Sequence, residues 1–454
     1  MASRDNAVQE LSGQSPAFQQ ITDDILAPLW KPGRWYWLLL LLAGALALVG
    51  GVCWFHQINT GLGVAGITRP AGWGIYIASF VFWVGIAHSG TLISAVLYLF
   101  QLRWRVAISR TAEAMTIFAI MTAGLFPLIH LGRPWFFYWL IPYPNERQLW
   151  VNFRSPLIWD VFAVGTYFTL SVIFWYLGMI PDLAAVRDRS TGYKRTLYGI
   201  FSLGWTGSGR QWRHFRASYL FLASLATPLV VSVHSVVSWD FAMGIVPGWH
   251  STIFAPYFVA GAIFSGLAMV CTLVIPLRKA FRLEHYITVD HFNQLSKLLL
   301  FMSLIVSYSY ISEFFVAWYS GNLFERSSFY YRAFGSYADL FWLMTVCNCI
   351  VPLLLSFAKM RKNLKALLVI SLLINLGMYL ERFVIIPVSL THDFNPYIWR
   401  LYSPTVYEYG ILAGSFGFFF FWFLLFIKFV PVLPMFEIKE LAKSPIQPAQ
   451  EIAI

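Results

Sequence analysis

GLFPLIHLGRPWFFYWLIPYPNERQLWVNFRSPLIWDVF, residues 124–162, is the stretch from which the fold is predicted. Apolar residues dominate both of its ends, whereas Pro, aromatic and basic residues crowd its middle. This pattern predicts the end of one membrane-spanning helix, a loop, and the start of the next helix. His130 lies at the first helix end and Asp160 at the facing helix start, with Arg133 and Arg154 in the loop. An acid–base pair where hydrocarbon meets water indicates a functional role.

The composition of the whole chain indicates a membrane protein. Of 454 residues, 58% are hydrophobic and 12% are charged, and the mean hydropathy is +0.64. Soluble proteins carry about a quarter charged residues. Aromatic residues make up 19% of the chain and include 20 Trp, and Trp and Tyr concentrate at membrane interfaces. We therefore predict an all-α integral membrane protein.

Several other classes of protein are excluded. The net charge of +11 does not indicate a nucleic-acid partner, because the basic residues lie in short loops between apolar segments. Cys53, Cys271, Cys347 and Cys349 lie in apolar segments without a Cys-x-x-Cys motif, so we expect buried thiols and no iron–sulfur cluster. No span holds two histidines two or three turns apart, so we expect neither haem nor metal in this chain. A haem between His130 and His234 is the alternative.

Ten apolar segments reach the length of about 20 residues that a bilayer requires. The predicted spans 1 to 10 cover residues 35–55, 73–99, 111–131, 156–180, 217–238, 254–277, 292–319, 336–357, 364–386 and 406–430. They form a membrane domain over residues 35–430. Residues 1–34 are expected to be a cytoplasmic or interfacial tail without a cleavable signal peptide, and residues 431–454 a cytoplasmic tail.

A faint internal repeat divides the spans. Phe153-Arg154 leads to Asp160-Val161-Phe162 at span 4, and Tyr331-Arg332 leads to Asp339-Leu340-Phe341 at span 8. Four spans separate the two matches, so the two units would share one orientation. We expect two four-helix bundles, spans 2–5 (about 73–238) and spans 6–9 (about 254–386), flanked by spans 1 and 10.

The distribution of basic residues predicts the orientation. Most of the 32 Lys and Arg residues lie in the two tails and in the loops on the same side. The positive-inside rule then places both termini in the cytoplasm and the hairpin of residues 124–162 on the outer side. The basic loop 181–216 is expected to lie on anionic lipid.

Ionisable side chains within spans are costly and usually face a polar cavity. Near the predicted outer face lie His130, Asp160, His234, Asp240, Asp339, Glu381, Arg382 and Glu408; deeper lie His88 and Glu313; Glu113 lies toward the cytoplasm. The outer group predicts a shared polar cavity. Alternatively, each residue marks a helix end near water.

Oxidation of a quinol fits such a cavity, because it removes two electrons and two protons. His130 and Asp160 are of the right types to accept the protons, and a nearby arginine would keep a carboxylate ionised. The electrons need a conductor outside this chain. His88, Glu313, Glu113 and Asp339 are candidates for a proton path, or else buried groups that pair between helices.

The hairpin motifs also resemble a known family. His130-Leu-Gly-Arg-Pro134, Asn152-Phe-Arg-Ser-Pro156 and Trp159-Asp160 resemble the NrfD/polysulfide-reductase membrane subunits. Many members have Asp before Leu-Gly-Arg-Pro and Gly after the Trp. His130 and Asp160 at these positions look like the quinol-oxidising C subunit of bacterial alternative complex III.

The resemblance implies a cofactor-free, ten-helix subunit of the bacterial inner membrane that binds a quinol. Menaquinol is the first candidate for this quinol, and ubiquinol is the second. Its implied partners are an extracytoplasmic iron–sulfur subunit, a multihaem cytochrome c subunit and a second NrfD-like subunit, besides the lipid bilayer. Carried over by position, the residues lining the quinol site would be His130, Asp160, Asp240, Arg382 and Arg400. His88 and Glu313 would belong to a proton route, and the complex would be a quinol:cytochrome c or similar oxidoreductase.

Two other functions stay open. One is a secondary transporter for a small anion, which the repeat and the buried charges allow. Against it, the two halves lack matching helices interrupted by Gly or Pro. The other is a cofactor-free structural anchor for a membrane complex.

Overall fold

The computed structural model describes residues 16–30, 32–141 and 153–443, so Asn152 of the hairpin motif and the outer parts of both predicted tails lie outside the described residues. Within the described part, ten helices are long and apolar enough to cross a membrane. Spans 1 to 10 are Arg34–Thr60, Ile75–Leu99, Arg103–His130, Pro156–Asp188, Gly209–Ala242, Phe254–Ala280, Val289–Tyr319, Ala338–Ser356, Leu364–Val388 and Val406–Phe429. The prediction of a ten-helix integral membrane protein is confirmed.

Several spans are longer than their apolar segments. Span 3 begins at Arg103 and span 4 continues to Asp188, so the predicted loop 181–216 is largely helical and includes a separate helix, Tyr193–Phe201. The extensions carry charges that pair within the protein, as Arg110 Nη2 does with Asp182 Oδ2 at 3.0 Å. Hydropathy detects the lipid-facing part of a helix and misses such paired ends.

Shorter helices cover the two ends of the molecule. We call the end of the molecule that carries His130 and the start of span 4 the hairpin end, and the opposite end the tail end. The hairpin end carries a 3₁₀ helix, Pro134–Leu140, and an α-helix, Leu323–Phe334. The tail end carries Pro16–Trp30, which contacts span 10, and Met435–Lys443, which contacts Pro16–Trp30. Pro16–Trp30 lies where the sequence predicts an interfacial segment.

The contacts between spans follow two rings. Spans 2, 3, 4 and 5 touch in sequence and close with 5 against 2, and spans 6, 7, 8 and 9 close in the same way. Span 1 packs on span 10, which also touches spans 2 and 3. One hydrophobic core includes buried residues of both rings. The division into bundles over 73–238 and 254–386 therefore stays a proposal.

Spans 2 and 6 lie at the centre of the molecule: 89% of the residues in the most apolar 18-residue stretch of each span are buried. A side chain at Gly266 of span 6 would overlap Ser89 of span 2, and one at Gly90 would overlap Ala112 and Thr116 of span 3. Lipid tails are as apolar as the helices, so close packing of small residues drives helix association in a membrane. These glycines are what lets span 2 approach both neighbours.

Three spans depart from regular α-helix. Span 2 contains a π-helical turn at Leu92–Val96, span 8 one at Val346–Ile350, and span 9 one at Val384–Val388. Pro387 lies inside the last turn, and Pro352 follows the second. Such turns frequently occur at functional sites. The apolar pattern of the sequence did not predict them.

The Glu408 side chain links span 10 by hydrogen bonds to the segment after span 1 and to the loop that precedes span 10. Its Oε2 accepts hydrogen bonds from the backbone N–H groups of Gly66 (2.7 Å) and Thr405 (2.9 Å), and its Oε1 accepts one from the Tyr402 hydroxyl (2.5 Å). The Tyr402 hydroxyl in turn accepts the N–H of Ile75 at the start of span 2 (2.8 Å). Glu408 is fully buried, and these donors compensate the lost hydration of its carboxylate.

We expect Glu408→Gln to lower the free energy of unfolding by about 2 kcal/mol, because an amide has one acceptor oxygen instead of two. With that oxygen on the backbone N–H groups, the NH2 group would face the Tyr402 hydroxyl, which would lose its buried acceptor. Thermal unfolding in detergent micelles measures the effect. The control is Glu284→Gln, at an exposed residue of the tail end. Equal unfolding temperatures for the two variants would contradict the role assigned to Glu408.

Candidate functional site

The end of span 3 is held against spans 1 and 2. The Nε2 group of Gln57 donates a hydrogen bond to the backbone carbonyl of Ile129 (2.8 Å), and the Tyr76 hydroxyl donates to Gln57 Oε1 (2.5 Å). Both Gln57 and Tyr76 are fully buried. The next residue is His130, which is half-buried, and its Nδ1 has no hydrogen-bond partner among the described residues.

The turn after His130 explains the Leu-Gly-Arg-Pro motif. Gly132 has φ +72°, a backbone conformation that costs little only for glycine. A Cβ at this position would also collide with the side chain of Leu62, so the turn packs directly on the segment after span 1. Pro134 then starts the short 3₁₀ helix. The motif therefore fixes the direction in which the chain leaves His130.

Asp160 and Asp240 form a carboxyl pair between spans 4 and 5. Asp160 lies one turn into span 4 and Asp240 near the end of span 5, and their carboxyl groups are close enough to interact. Two ionised carboxylates in such a buried position would repel each other, which favours a proton shared between them. The rings of the preceding residues, Trp159 and Trp239, meet edge to face at 6.0 Å. These contacts hold the start of span 4 against the end of span 5.

Three of the buried polar atoms that are unpaired among the described residues belong to these site candidates. They are Nδ1 of His130, Oδ1 of Asp160 and Oδ1 of Asp240, each without a partner among the described residues. An unpaired buried polar group costs about 1–3 kcal/mol. Within that same part of the chain, no hydrogen bond or ion pair joins His130 to either aspartate. The ends of spans 3, 4 and 5 thus offer one base and one acid pair to a ligand.

A cleft of about 250 Å³ opens beside the carboxyl pair, between span 5, the following loop and span 6. Its lining combines aromatic and apolar residues with a few polar ones: Trp239, Ala242, Met243, His250, Ser251, Thr252 and Ala255. Small-molecule sites are typically lined in this way. A neighbouring cleft of about 560 Å³ shares the three polar residues and extends to span 7.

Arg382 is fully buried within span 9. Its guanidinium is ion-paired with Glu381 and lies 4.6 Å from the centre of the Phe258 ring. That ring lies 5.9 Å from the ring of His234 and 5.4 Å from that of Phe241. Among the described residues, no hydrogen bond or ion pair joins Arg382 to Asp160 or Asp240. The phenylalanine rings thus lie between Arg382 and the part of span 5 that carries Asp240.

Two fully buried histidines face each other across spans 2 and 5. The ring centres of His88 and His234 are 4.5 Å apart, and Tyr167 of span 4 lies 5.1 Å from His88. His88 Nδ1 is 2.7 Å from the backbone carbonyl of Val84. The other three ring nitrogens have no partner in the described part of the chain. The sequence predicted His234 near the outer face and His88 deeper in the membrane, and it did not predict a contact between them.

The remaining candidates lie apart from one another. Glu313 is buried in span 7, with Oε1 unpaired among the described residues, and its charged neighbours are Arg332 and Glu381. Asp339 is exposed at the start of span 8, and Arg400 is exposed in the loop before span 10. The structure does not bring Asp339 or Arg400 into hydrogen-bond contact with the carboxyl pair.

Glu113 belongs to a buried ion network near the tail end. It accepts a hydrogen bond from the Tyr219 hydroxyl (3.3 Å) and lies 3.7 Å from Arg110 Nε. Arg110 also bonds Asp182 and the backbone carbonyl of Gly178. Its contacts with Tyr219 and Arg110 favour a structural role for Glu113 over a place in a proton path.

The sequence contains a pattern, not used in the prediction, that associates the two aspartates with each other. Both are preceded by tryptophan, in Trp159-Asp160 and Trp239-Asp240. The two dipeptides lie at the facing ends of consecutive antiparallel spans, where the tryptophans pack and the acids meet. No group of three or more His, Cys, Asp or Glu residues suited to hold a metal ion occurs in residues 16–30, 32–141 and 153–443.

Comparison with known proteins gives three relatives. A Halobacterium salinarum protein, provisionally named as the membrane C subunit of a dimethyl sulfoxide reductase, is 32% identical over 51% of this chain and 49% of its own length. The C subunit of the selenate reductase of Mesobacillus selenatarsenatis is 23% identical over 82% of this chain and 88% of its own. The Hdr-like menaquinol oxidoreductase integral membrane subunit of Archaeoglobus fulgidus is 20% identical over 52% and 49%.

The chain thus spans about half the length of the first and third of these proteins and most of the second. The family model described as polysulphide reductase, NrfD, matches residues 63–392. This match contains spans 2 to 9 and the hairpin with His130, Gly132 and Asp160. The predicted family is confirmed: the chain belongs to the polysulphide reductase NrfD family.

Proposed function

We propose that this chain is the quinol-oxidising membrane subunit of a respiratory oxidoreductase of the alternative complex III type. The observation that supports this most strongly is the buried Asp160–Asp240 carboxyl pair, which lies at the same end of the spans as His130, with a polar atom on each of the three residues unpaired among the described residues. Three relatives are named as subunits of reductases or of a menaquinol oxidoreductase. One of these names specifies menaquinol, which makes menaquinol the first candidate for the substrate.

The proposed reaction balances with the residues present. A quinol that becomes a quinone gives up two protons and two electrons. The carboxyl pair already shares one proton and has room for one more, and neutral His130 accepts one at Nδ1. The two electrons pass to an iron–sulfur cluster of a neighbouring subunit. Each proton acceptor lies near a span end, so both protons can leave to water on the hairpin side.

The cleft beside Trp239 is the proposed route by which the quinol enters from the lipid. It lies between spans 5 and 6, and Trp239, the residue before Asp240, is one of its lining residues. Trp159 and Trp239 offer aromatic edges to a flat ring. Arg382 then contacts the site only through Phe258, so we assign it a positioning role.

The charge distribution supports the proposed orientation, with both termini in the cytoplasm of a bacterium and the hairpin end outside. An extracytoplasmic iron–sulfur subunit would then cover the hairpin end and pass electrons to a multihaem cytochrome c, beside a second NrfD-like subunit. His88 and Glu313, both buried with unpaired atoms, are the proposed members of a proton path. Proton translocation is a separate proposal from quinol oxidation.

We expect His130→Ala and Asp160→Asn each to lower the rate of quinol oxidation at least about 100-fold, because each removes a proton acceptor. Asp240→Asn should behave as Asp160→Asn does, and the double Asn variant should lose little more, because the two acids act as one unit. Initial rates with a soluble menaquinol analogue measure the effect in the purified complex.

The controls for these variants are His56→Ala and Asp393→Asn, which are at the hairpin end. His56 is exposed and stacks on Tyr407, and Asp393 caps a loop through Oδ1, which asparagine retains. Both controls should oxidise quinol normally. Normal rates in the three site variants, with the complex intact, would favour the structural-anchor function instead.

We expect Ala242→Trp to raise the KM for quinol about tenfold, because the indole would fill the cleft through which the quinol enters. The kcat at saturating quinol should change much less, since the proton acceptors are retained. Ala217→Trp, at an exposed position of the same span, is the control. An unchanged KM in the Ala242 variant would contradict this entry route.

The proteins that co-purify with this chain test whether the complex is of the alternative complex III type. Affinity purification in mild detergent should recover an iron–sulfur protein, a second NrfD-like protein and a protein that stains for covalent haem. Recovery of a catalytic sulfoxide or selenate reductase protein without a haem protein would contradict the alternative complex III type. The rates of the site variants would still test quinol oxidation independently.

A further inference from the structure

A cleft of about 540 Å³ lies at the tail end, on the opposite side of the molecule from the carboxyl pair. It is bounded by the end of span 2, the start of span 3, the first turns of span 5 and the C-terminal helix Met435–Lys443. None of the residues of the proposed quinol site lines it. Nothing in the proposed function requires this cleft, so its lining needs its own explanation.

Three arginines form one wall of the cleft. Arg103 is exposed and has no hydrogen-bond or ion-pair partner among the described residues. Arg216 is exposed and pairs with Glu440 at 2.9 Å. Arg105 is buried, with Nη2 on Glu437 at 2.7 Å and Nη1 unpaired within the described part of the chain. The wall therefore offers guanidinium donors that the protein itself does not satisfy.

Apolar lining residues lie next to these arginines and are partly exposed. Leu102 and Leu220 line the cleft and are 37% and 50% exposed. Their neighbours Phe100 and Phe221 are 71% and 66% exposed. Exposed apolar side chains beside arginines at the ends of spans are typical of the level where acyl chains meet headgroups. The cleft thus presents both chemistries that a phospholipid carries.

We infer that this cleft binds one anionic phospholipid. Its phosphate would pair with Arg103 and Arg216, since a guanidinium matches a phosphate with two parallel hydrogen bonds. Its acyl chains would lie along Leu102 and Leu220. Basic pockets between membrane helices bind anionic lipids on the cytoplasmic side, which is the side predicted for this end by the basic loops.

The two glutamates on the C-terminal helix have different parts in this site. The Arg216–Glu440 pair is exposed on both sides, with side chains 65% and 59% accessible, and such pairs contribute little stability. A phosphate can therefore replace Glu440 as the partner of Arg216. The Arg105–Glu437 pair is nearly buried, so the helix stays in place when the lipid binds.

The test uses the purified assembly in nanodiscs of phosphatidylcholine that contain a minor fraction of phosphatidylglycerol with the same acyl chains. Native mass spectrometry counts the lipids that stay bound. The wild type should retain phosphatidylglycerol in preference to phosphatidylcholine, and Arg103→Gln plus Arg216→Gln should weaken this binding about tenfold. Glu440→Gln should strengthen it about threefold, because it removes the competing carboxylate.

The matched control is Arg210→Gln plus Arg213→Gln, which removes the same charge from exposed positions on the same helix turns outside the cleft. Equal loss of lipid in the control and the cleft variant would overturn the proposal in favour of diffuse attraction. So would equal retention of both lipids by the wild type. Displacement of the lipid by millimolar inorganic phosphate would assign the cleft to a free anion instead.

Discussion

The absence of water inside a bilayer is the constraint on which this structure depends, because each buried polar atom must find its partner within the protein. The chain satisfies it at Glu408, whose carboxylate receives three hydrogen bonds, and at Glu113, which lies in a network of arginine, aspartate and tyrosine. His130, Asp160 and Asp240 differ from these two glutamates, because each has a buried polar atom without a partner among the described residues and all three lie at the hairpin ends of consecutive spans. Paired charges hold helices together, whereas unpaired groups gathered at one end can bond a ligand.

Three consecutive residues of span 2 show how packing and chemistry are combined at the centre of the molecule. Successive helical residues point about 100° apart, so neighbours in sequence face different helices. His88 faces His234 of span 5, Ser89 lies against Gly266 of span 6, and Gly90 lies against span 3. The small residues thus bring span 2 close to two helices and fix its rotation, and the rotation sets His88 against span 5.

The sequence alone predicted the ten spans, the hairpin and the acids at its ends, because hydropathy and turn residues are local properties. It placed Asp160 and Asp240 at the same end, yet the contact between them depends on how spans 4 and 5 are rotated, which a single hydropathy profile does not report. The π-helical turns and the His88–His234 contact escaped prediction for the same reason. Hydropathy also did not predict the helix extensions beyond the apolar segments, because charged residues such as Arg110 and Asp182 are typical of loops, although here they pair with each other.

The place of Arg382 changes the electrostatic argument for the site. An arginine beside Asp160 would keep that acid ionised, which the sequence suggested. In the structure Arg382 is paired with Glu381, and phenylalanine rings lie between it and the part of span 5 that carries Asp240. In the proposed site, the carboxyl pair would therefore depend on a shared proton, because two ionised acids so close together would repel each other in a buried position. A pair that holds one proton can take up only one more. Quinol oxidation releases two protons, so the proposed chemistry needs a second acceptor at the same end of the spans, and His130 is the residue that supplies it.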